Sequence, residues 1–218
     1  MKFLHLSSMT KRESEDLVGK ICRQAWELAL KCTNFEIEFK QILPKSLKTA
    51  SKKDLMKLIE YRKAVKKAKE LKIEIKNPSI EHAGILMDEL LTHAIENKLD
   101  IKLVSGRLEK NFYDSLMPKF EDAVKAGCKV DVLVGCGESS KIENKALYKL
   151  LNNPGRASAH YIEDKSIIHF MLAGDSAYRV EINKEYKTAI GHFDNTTIGE
   201  VLSKKFEEYA KNKTTNYF

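Results

Sequence analysis

Apolar and polar positions recur along the chain with two periods, and the changes from one to the other predict its elements. Thr10 and Glu13 have the spacing of a capping box, and Leu17, Val18, Ile21, Cys22, Ala25, Trp26, Leu28 and Ala29 follow at helical spacing, which predicts a helix to about Cys32. "FEIEF" (35–39) sends Phe35, Ile37 and Phe39 one way and Glu36 and Glu38 the other, the period of two of a half-exposed strand. From Lys52 to Lys69, Leu55, Leu58, Ile59, Val65 and Ala68 form an apolar stripe with lysines over the rest, a second helix, and "LKIEI" (71–75) follows as a strand. Pro78 opens a third helix with Ile85, Leu86, Leu90, Leu91, Ala94 and Ile95 on its buried face.

Further along, "DIKLVSG" (100–106) reads as a strand, 110–126 as a helix stopped by Gly127, and "KVDVLVG" (129–135) as a strand. A short helix near 142–151 precedes strands at 157–163, 166–174, 177–182 and 187–193, and a helix over 197–211 closes the chain. Strands alternating with helices, then a run of adjacent strands, predict an α/β protein with a mixed β-sheet flanked by helices on both faces. Helix, strand, helix, strand occurs over 12–76 and again over 79–135, as a divergent repeat would leave it. The chain divides on that basis into a basic helix-strand portion, 1–76, packed on a main domain, 77–218.

Composition narrows the classes. With 218 residues, 43% hydrophobic and 32% charged, the chain is long enough for one main core and too apolar for a disordered one. "MKFLHLSSMTKRE" carries a four-residue apolar run, short of a secretory segment, and no stretch nears 18 apolar residues, so a cytoplasmic protein without a membrane span is expected. Cys22, Cys32, Cys128 and Cys136 form no Cys-x-x-Cys pair and have no nearby histidine partner, which predicts reduced thiols rather than a zinc site or a disulfide framework. The net charge of +7 is uneven: 40–76 holds thirteen Lys or Arg against four acids, a balance of +9. A basic block on a near-neutral body suits an anionic polymer or an anionic membrane surface, where counterion release drives contact with the former. Its plain reading is a solvated lysine-rich helix face.

The stretch "IIHFMLAGDSAYRVE" (167–181) places His169 and Asp175 around an apolar run and sets Arg179 and Glu181 two apart on one strand face. A histidine in an apolar strand is most often a hydrogen-bonded core group, and an arginine flanked by carboxylates an ion-pair cluster. The rival readings are chemistry at His169 and a bidentate grip on phosphate or sugar by Arg179. His160, on what is predicted to be the neighbouring strand, approaches His169 if the strand register permits. "GCGESSK" (135–141) resembles a fragment of a dinucleotide fingerprint without its third glycine.

The order of parts over 100–212 resembles one half of a phospholipase D superfamily domain, within a sub-group whose motifs are degenerate. "AVKAGCKVDVLV" (123–134) fits that family's turn and second strand, "HFMLAGD" (169–175) stands where its His-Lys-Asp motif belongs, and "GHFDNTT" (191–197) where Gly-Ser-x-Asn belongs. The resemblance implies a metal-independent reaction without a cofactor, in which one histidine attacks phosphorus, a second protonates the leaving oxygen, and lysine and amide groups hold the phosphate. On this basis His169, Asp175, His192 and Asn195 are the candidate catalytic residues. Met171 stands at the lysine position, Asp175 comes one residue early, His192 replaces the serine, and the single motif makes a homodimer a requirement for catalysis. Two expectations follow. One is a nucleic-acid-binding protein, for DNA or RNA, using Lys52, Lys53, Lys63, Lys66 and Lys67, with Arg179, Glu181 and His160 as further binding candidates and hydrolysis weakened or lost. The other is a metal-independent phosphodiesterase or nuclease acting as a homodimer through His169.

Overall fold

The computed structural model describes residues 52–106, 108–135, 150, 155–162, 167–183 and 188–214, all within one compact unit, Ile42–Phe218. The predicted helix before Cys32, the strand "FEIEF", the helix near 142–151 apart from Leu150, and "GCGESSK" beyond Gly135 lie outside the described residues.

Helix α1 (Lys52–Leu71) leads through Lys72, whose φ of 54° ends it, to the short strand β1 (Ile75–Asn77). The strand thus begins four residues later than the alternation of "LKIEI" predicts, because Leu71 stays in the helix. Helix α2 (Ile80–Asn97) follows, then β2 (Ile101–Ser105), the single turn α3 (Lys110–Tyr113), α4 (Met117–Ala126) and β3 (Val130–Gly135). The one helix predicted over 110–126 is therefore two, and Pro118 in the first turn of α4 marks the break. Next come β4 (Ala157–Ile162), β5 (Phe170–Ala173), β6 (Ala177–Asn183), β7 (Thr188–His192), α5 (Thr196–Lys211) and β8 (Lys213–Thr214).

The eight strands form one mixed sheet in the order β1-β7-β6-β5-β2-β3-β4-β8. Strands β2, β3 and β4 run parallel, while β5, β6, β7 and β1 continue the sheet antiparallel from β2. Helices cover both faces, so the α/β class with a mixed, doubly covered sheet is the one observed. On one face Val104, Leu133, Phe170, Leu172 and Tyr178 pack with Leu202, Phe206 and Tyr209 of α5. On the other, α2 lies so close that a Cβ at Gly191 would stand 2.8 Å from Leu86, and α1 packs against α2. Strand β1 and helix α1 belong to this same unit, so residues 52–77 are integrated with the domain that follows them.

Candidate functional site

Alternate residues of four strands put a polar patch on the sheet face that α1 and α2 cover. Met171 pairs with Arg179, and Glu181 stands opposite His169, whose carbonyl accepts from the Glu181 amide at 2.9 Å. His169, Met171, Arg179 and Glu181 therefore share a face, with Ser105 of β2 and Asn77 of β1 on the same side. Between β6 and β1 runs β7, which shows this face only Ala189 and Gly191. These small residues leave room for Arg179 to reach across a whole strand and donate from Nε to Asn77 Oδ1 at 2.7 Å. Burial of Arg179 favours its neutral form and pushes its pKa down, while Glu181 and the hydroxyls of Tyr113 and Tyr61 act in the other direction.

His169 stands where β5 begins and keeps a third of its side chain exposed (33%), whereas Glu181 is nearly enclosed (8%). Its Nδ1 is 2.7 Å from Glu181 Oε2, an ion-pair distance. That buried oxygen nevertheless receives no directed hydrogen bond among the described residues, so the contact is one of proximity rather than an aligned N–H···O. A β-bulge follows at once: Glu181 pairs with Ala189 and Asn183 with Thr188, leaving Ile182 unpaired, and such bulges re-aim neighbouring side chains. Gly106, just after β2, makes space for the ring, since a Cβ there would lie 2.8 Å from Nε2. The ring thus sits with a carboxylate against Nδ1 and with Nε2 packed close to the backbone at Gly106.

Two tyrosines complete the patch. Tyr113 of α3 is hydrogen-bonded to Ser105, and burial raises its pKa against that bond and the charge of Arg179. Tyr61 of α1 meets His82 edge to face at 4.3 Å between ring centroids, and its hydroxyl is buried without a hydrogen-bond partner among the described residues. Burial raises its pKa too, with Arg179 opposing. Neither tyrosine was a candidate from the sequence, because nothing in a lysine-rich helix distinguishes Tyr61 from a boundary residue. Asn77 likewise meets Arg179 across 102 positions of sequence.

The other predicted residues lie elsewhere. His192 faces the α5 side, stacked on Tyr178 at 6.3 Å, with its Nδ1 accepting from the Asp194 amide at 2.9 Å. Asn195 is the N-cap of α5 and accepts from Ile198 N at 3.1 Å. Asp175 sits in the exposed turn after β5, at the opposite end of that strand from His169. His160 is on β4, three strands from β5 rather than beside it and on the opposite face, lining an open groove of about 550 Å³ with Asp131, Ser158 and Glu207. The expected approach of His160 to His169 is thus not made, because β2 and β3 intervene. Period-two alternation explains the rest: His192 is an odd step away from the face of Arg179 and Glu181.

On α1, Lys63 is exposed and pairs with Glu60 at 2.8 Å, while Lys66 and Lys67 are exposed with no ion pair among the described residues. Lys52 and Lys53 open the helix. The inner side holds Arg62, which donates from Nε to Glu89 and from Nη2 to Asp88, each at 2.7 Å. Lys69 pairs with Glu96 at 2.8 Å and Lys72 with Asp194 at 2.6 Å. The basic block therefore has a neutralised inner edge and an outward lysine row. Cys128 is a free buried thiol whose pKa burial raises. Among the described residues no helix is long and apolar enough to cross a membrane, and no cluster of three His, Cys, Asp or Glu is placed to hold a metal ion.

The chain matches no protein family and no curated protein in sequence. Its fold is similar to that of the archaeal chromatin protein TrmBL2, whose structure shows a novel mode of DNA binding: the TM-score is 0.54 at 11% identity, over 98% of this chain and 72% of that one. Nuc from Salmonella typhimurium, a phospholipase D family member, aligns with a TM-score of 0.42 at 10% identity over 65% of this chain and 94% of its own. Polyphosphate kinase from Porphyromonas gingivalis aligns with a TM-score of 0.46 at 16% identity, over 66% of this chain and 27% of the kinase.

Proposed function

We propose that this protein binds nucleic acid through the outward face of α1 and presents a degenerate phospholipase D-like site at His169 that contacts phosphodiesters with little or no hydrolysis. The observation that carries the reading is the lysine row itself, with Lys66 and Lys67 exposed and unpaired among the described residues. Lys63 is exposed beside them, and Lys52 and Lys53 belong to the first turn of the same helix. A row of ammonium groups on a rigid helix releases counterions when it meets a phosphate backbone, which gives affinity without sequence preference. The partner is DNA or RNA, and the DNA binding described for the chromatin protein of similar fold is in keeping with that choice. Met171, 1% exposed, offers no charge to a phosphate, which is why hydrolysis is weak in this reading.

Binding to a duplex oligonucleotide is expected to weaken steeply with salt, and Lys66→Ala with Lys67→Ala to reduce the slope of log K against log salt by about 2. Salt-independent binding, or none, removes the proposal. The accessible ring of His169 against Glu181 favours a second reading, a metal-independent nuclease acting as a homodimer. Cleavage in EDTA that disappears in His169→Ala supports it; equal cleavage by the variant, or a monomer in sedimentation, ends it.

A further inference from the structure

The patch around Arg179 is built as if a partner were missing. Tyr61 Oη and Glu181 Oε2 are buried with no hydrogen bond among the described residues, a condition that native interiors rarely leave without a water, an ion or a ligand. Arg179 is itself 8% exposed, Asn77 holds it by Nε, and Glu181, Tyr113 and Tyr61 lie near enough for their charges to act on it. Beside it stands Met171, directly paired across β5 and β6. Side chains so paired begin only ~5 Å apart, so a cation moved one strand over stays on the same face and within a side-chain length of His169.

We propose that Arg179 is the anion-binding cation of this site, supplied from β6 where Met171 leaves β5 without one, and that the Tyr61 hydroxyl is its second donor. The proposal rests on the reading of His169 as a phosphodiester site and adds the residues that hold the phosphate. A planar guanidinium fixed at Nε offers a two-pronged grip on two phosphate oxygens. Because Tyr61 belongs to α1, the helix with the lysine row also contributes a group to the site.

The full chain is titrated with a dinucleoside monophosphate, a single phosphodiester with too little charge for a row of lysines, while the Nε–H signal of Arg179 is followed by NMR. Saturable movement of that signal is expected, and Arg179→Met is expected to abolish binding. Tyr61→Phe removes an unpartnered hydroxyl, so Tm stays equal or rises while the diester binds about tenfold more weakly. A merely structural Tyr61 gives the same Tm and unchanged affinity; that result overturns the proposal, as does an Arg179 signal that does not move. If Arg179 responds while a long duplex shows no salt-dependent binding, the inference stands and the polymer reading falls. If the duplex binds while Arg179 stays silent, the polymer reading stands and the inference falls.

Discussion

The two faces of the sheet use the same strands differently. Under α5, Phe170, Leu172, Tyr178, Leu202 and Phe206 make a hydrocarbon core, and the nearby polar groups, His192 and Asn195, are consumed by the backbone at the start of that helix. Under α1 and α2, Arg179 is buried against Asn77 with Glu181 almost enclosed on the same strand, and Asp88 and Glu89 are buried against Arg62. Buried charge is costly even when paired, and hydrocarbon of the same shape is often as stable. The face under α5 is closed by hydrocarbon where that helix packs and carries the polar groove of His160, Asp131, Ser158 and Glu207 at its edge. The face under α1 and α2 instead holds buried charge that packing alone does not require.

Removing Arg62 tests the charged face most severely. Arg62→Met leaves Asp88 and Glu89 buried without their shared cation, and a loss of about 3–5 kcal/mol in urea denaturation at neutral pH is expected. The Asp88 carboxyl already lies above its ordinary value, chiefly through burial, with Arg62 and Lys119 opposing. An acid whose folded pKa is raised binds its proton more readily folded than unfolded. Stability accordingly falls as pH rises from the ordinary carboxylate value through the raised one, and is level above it. Without Arg62 that window extends upward, so the variant regains part of its stability on mild acidification. A deficit that is constant from neutral pH to the acid range contradicts the assignment.

The apolar face answers to volume instead. Gly199 of α5 lies against the β5–β6 turn so closely that a Cβ would stand 1.8 Å from the carbonyl oxygen of Asp175 and 2.5 Å from its carbon, both backbone atoms that cannot rotate aside. Gly199→Ala is expected to cost about 3 kcal/mol, despite the better helix propensity of alanine. Gly84→Ala on α2 is the counterpart: the nearest atom, on Phe112, is 3.9 Å away, and up to about 1 kcal/mol of stabilisation is expected. Equal effects in thermal unfolding contradict the close approach of α5 to the turn.

Periodicity made much of this legible. The stripe of Leu55, Leu58, Ile59, Val65 and Ala68 is buried on α1, and the strands from 157 onward fall within a few residues of their predicted bounds. Arg179 and Glu181 share a face because their spacing is two. What alternation does not convey is which strands are neighbours: β4 follows β3 in parallel while β5 returns to the far side of β2, so adjacency in sequence misplaces His160. Asp88 and Glu89 carried a signal that went unused, two acids inside the apolar run "ILMDELL", where burial demands a cation. Asn77 and Tyr61 carried none, since each acquires its role from a partner brought up by the fold.

Asn195 sharpens the contrast with the smallest effect. Its side chain accepts from Ile198 N, one of the amides that the first turn of a helix leaves unpaired, and it stands on the α5 side of the sheet, across from His169. Asn195→Ala is expected to lower stability by about 1 kcal/mol, as the loss of an N-cap does, with Asn195→Ser recovering most of it because a hydroxyl caps as well as an amide. Neither variant is expected to change dinucleotide binding, or any cleavage in EDTA, at temperatures where both remain folded. The position 195 amide in the phospholipase D pattern would instead be a phosphate holder, with losses on the order of 10² or more in cleavage and no rescue by serine in proportion to stability. Measuring stability and binding on the same pair of variants separates a helix cap from a site residue.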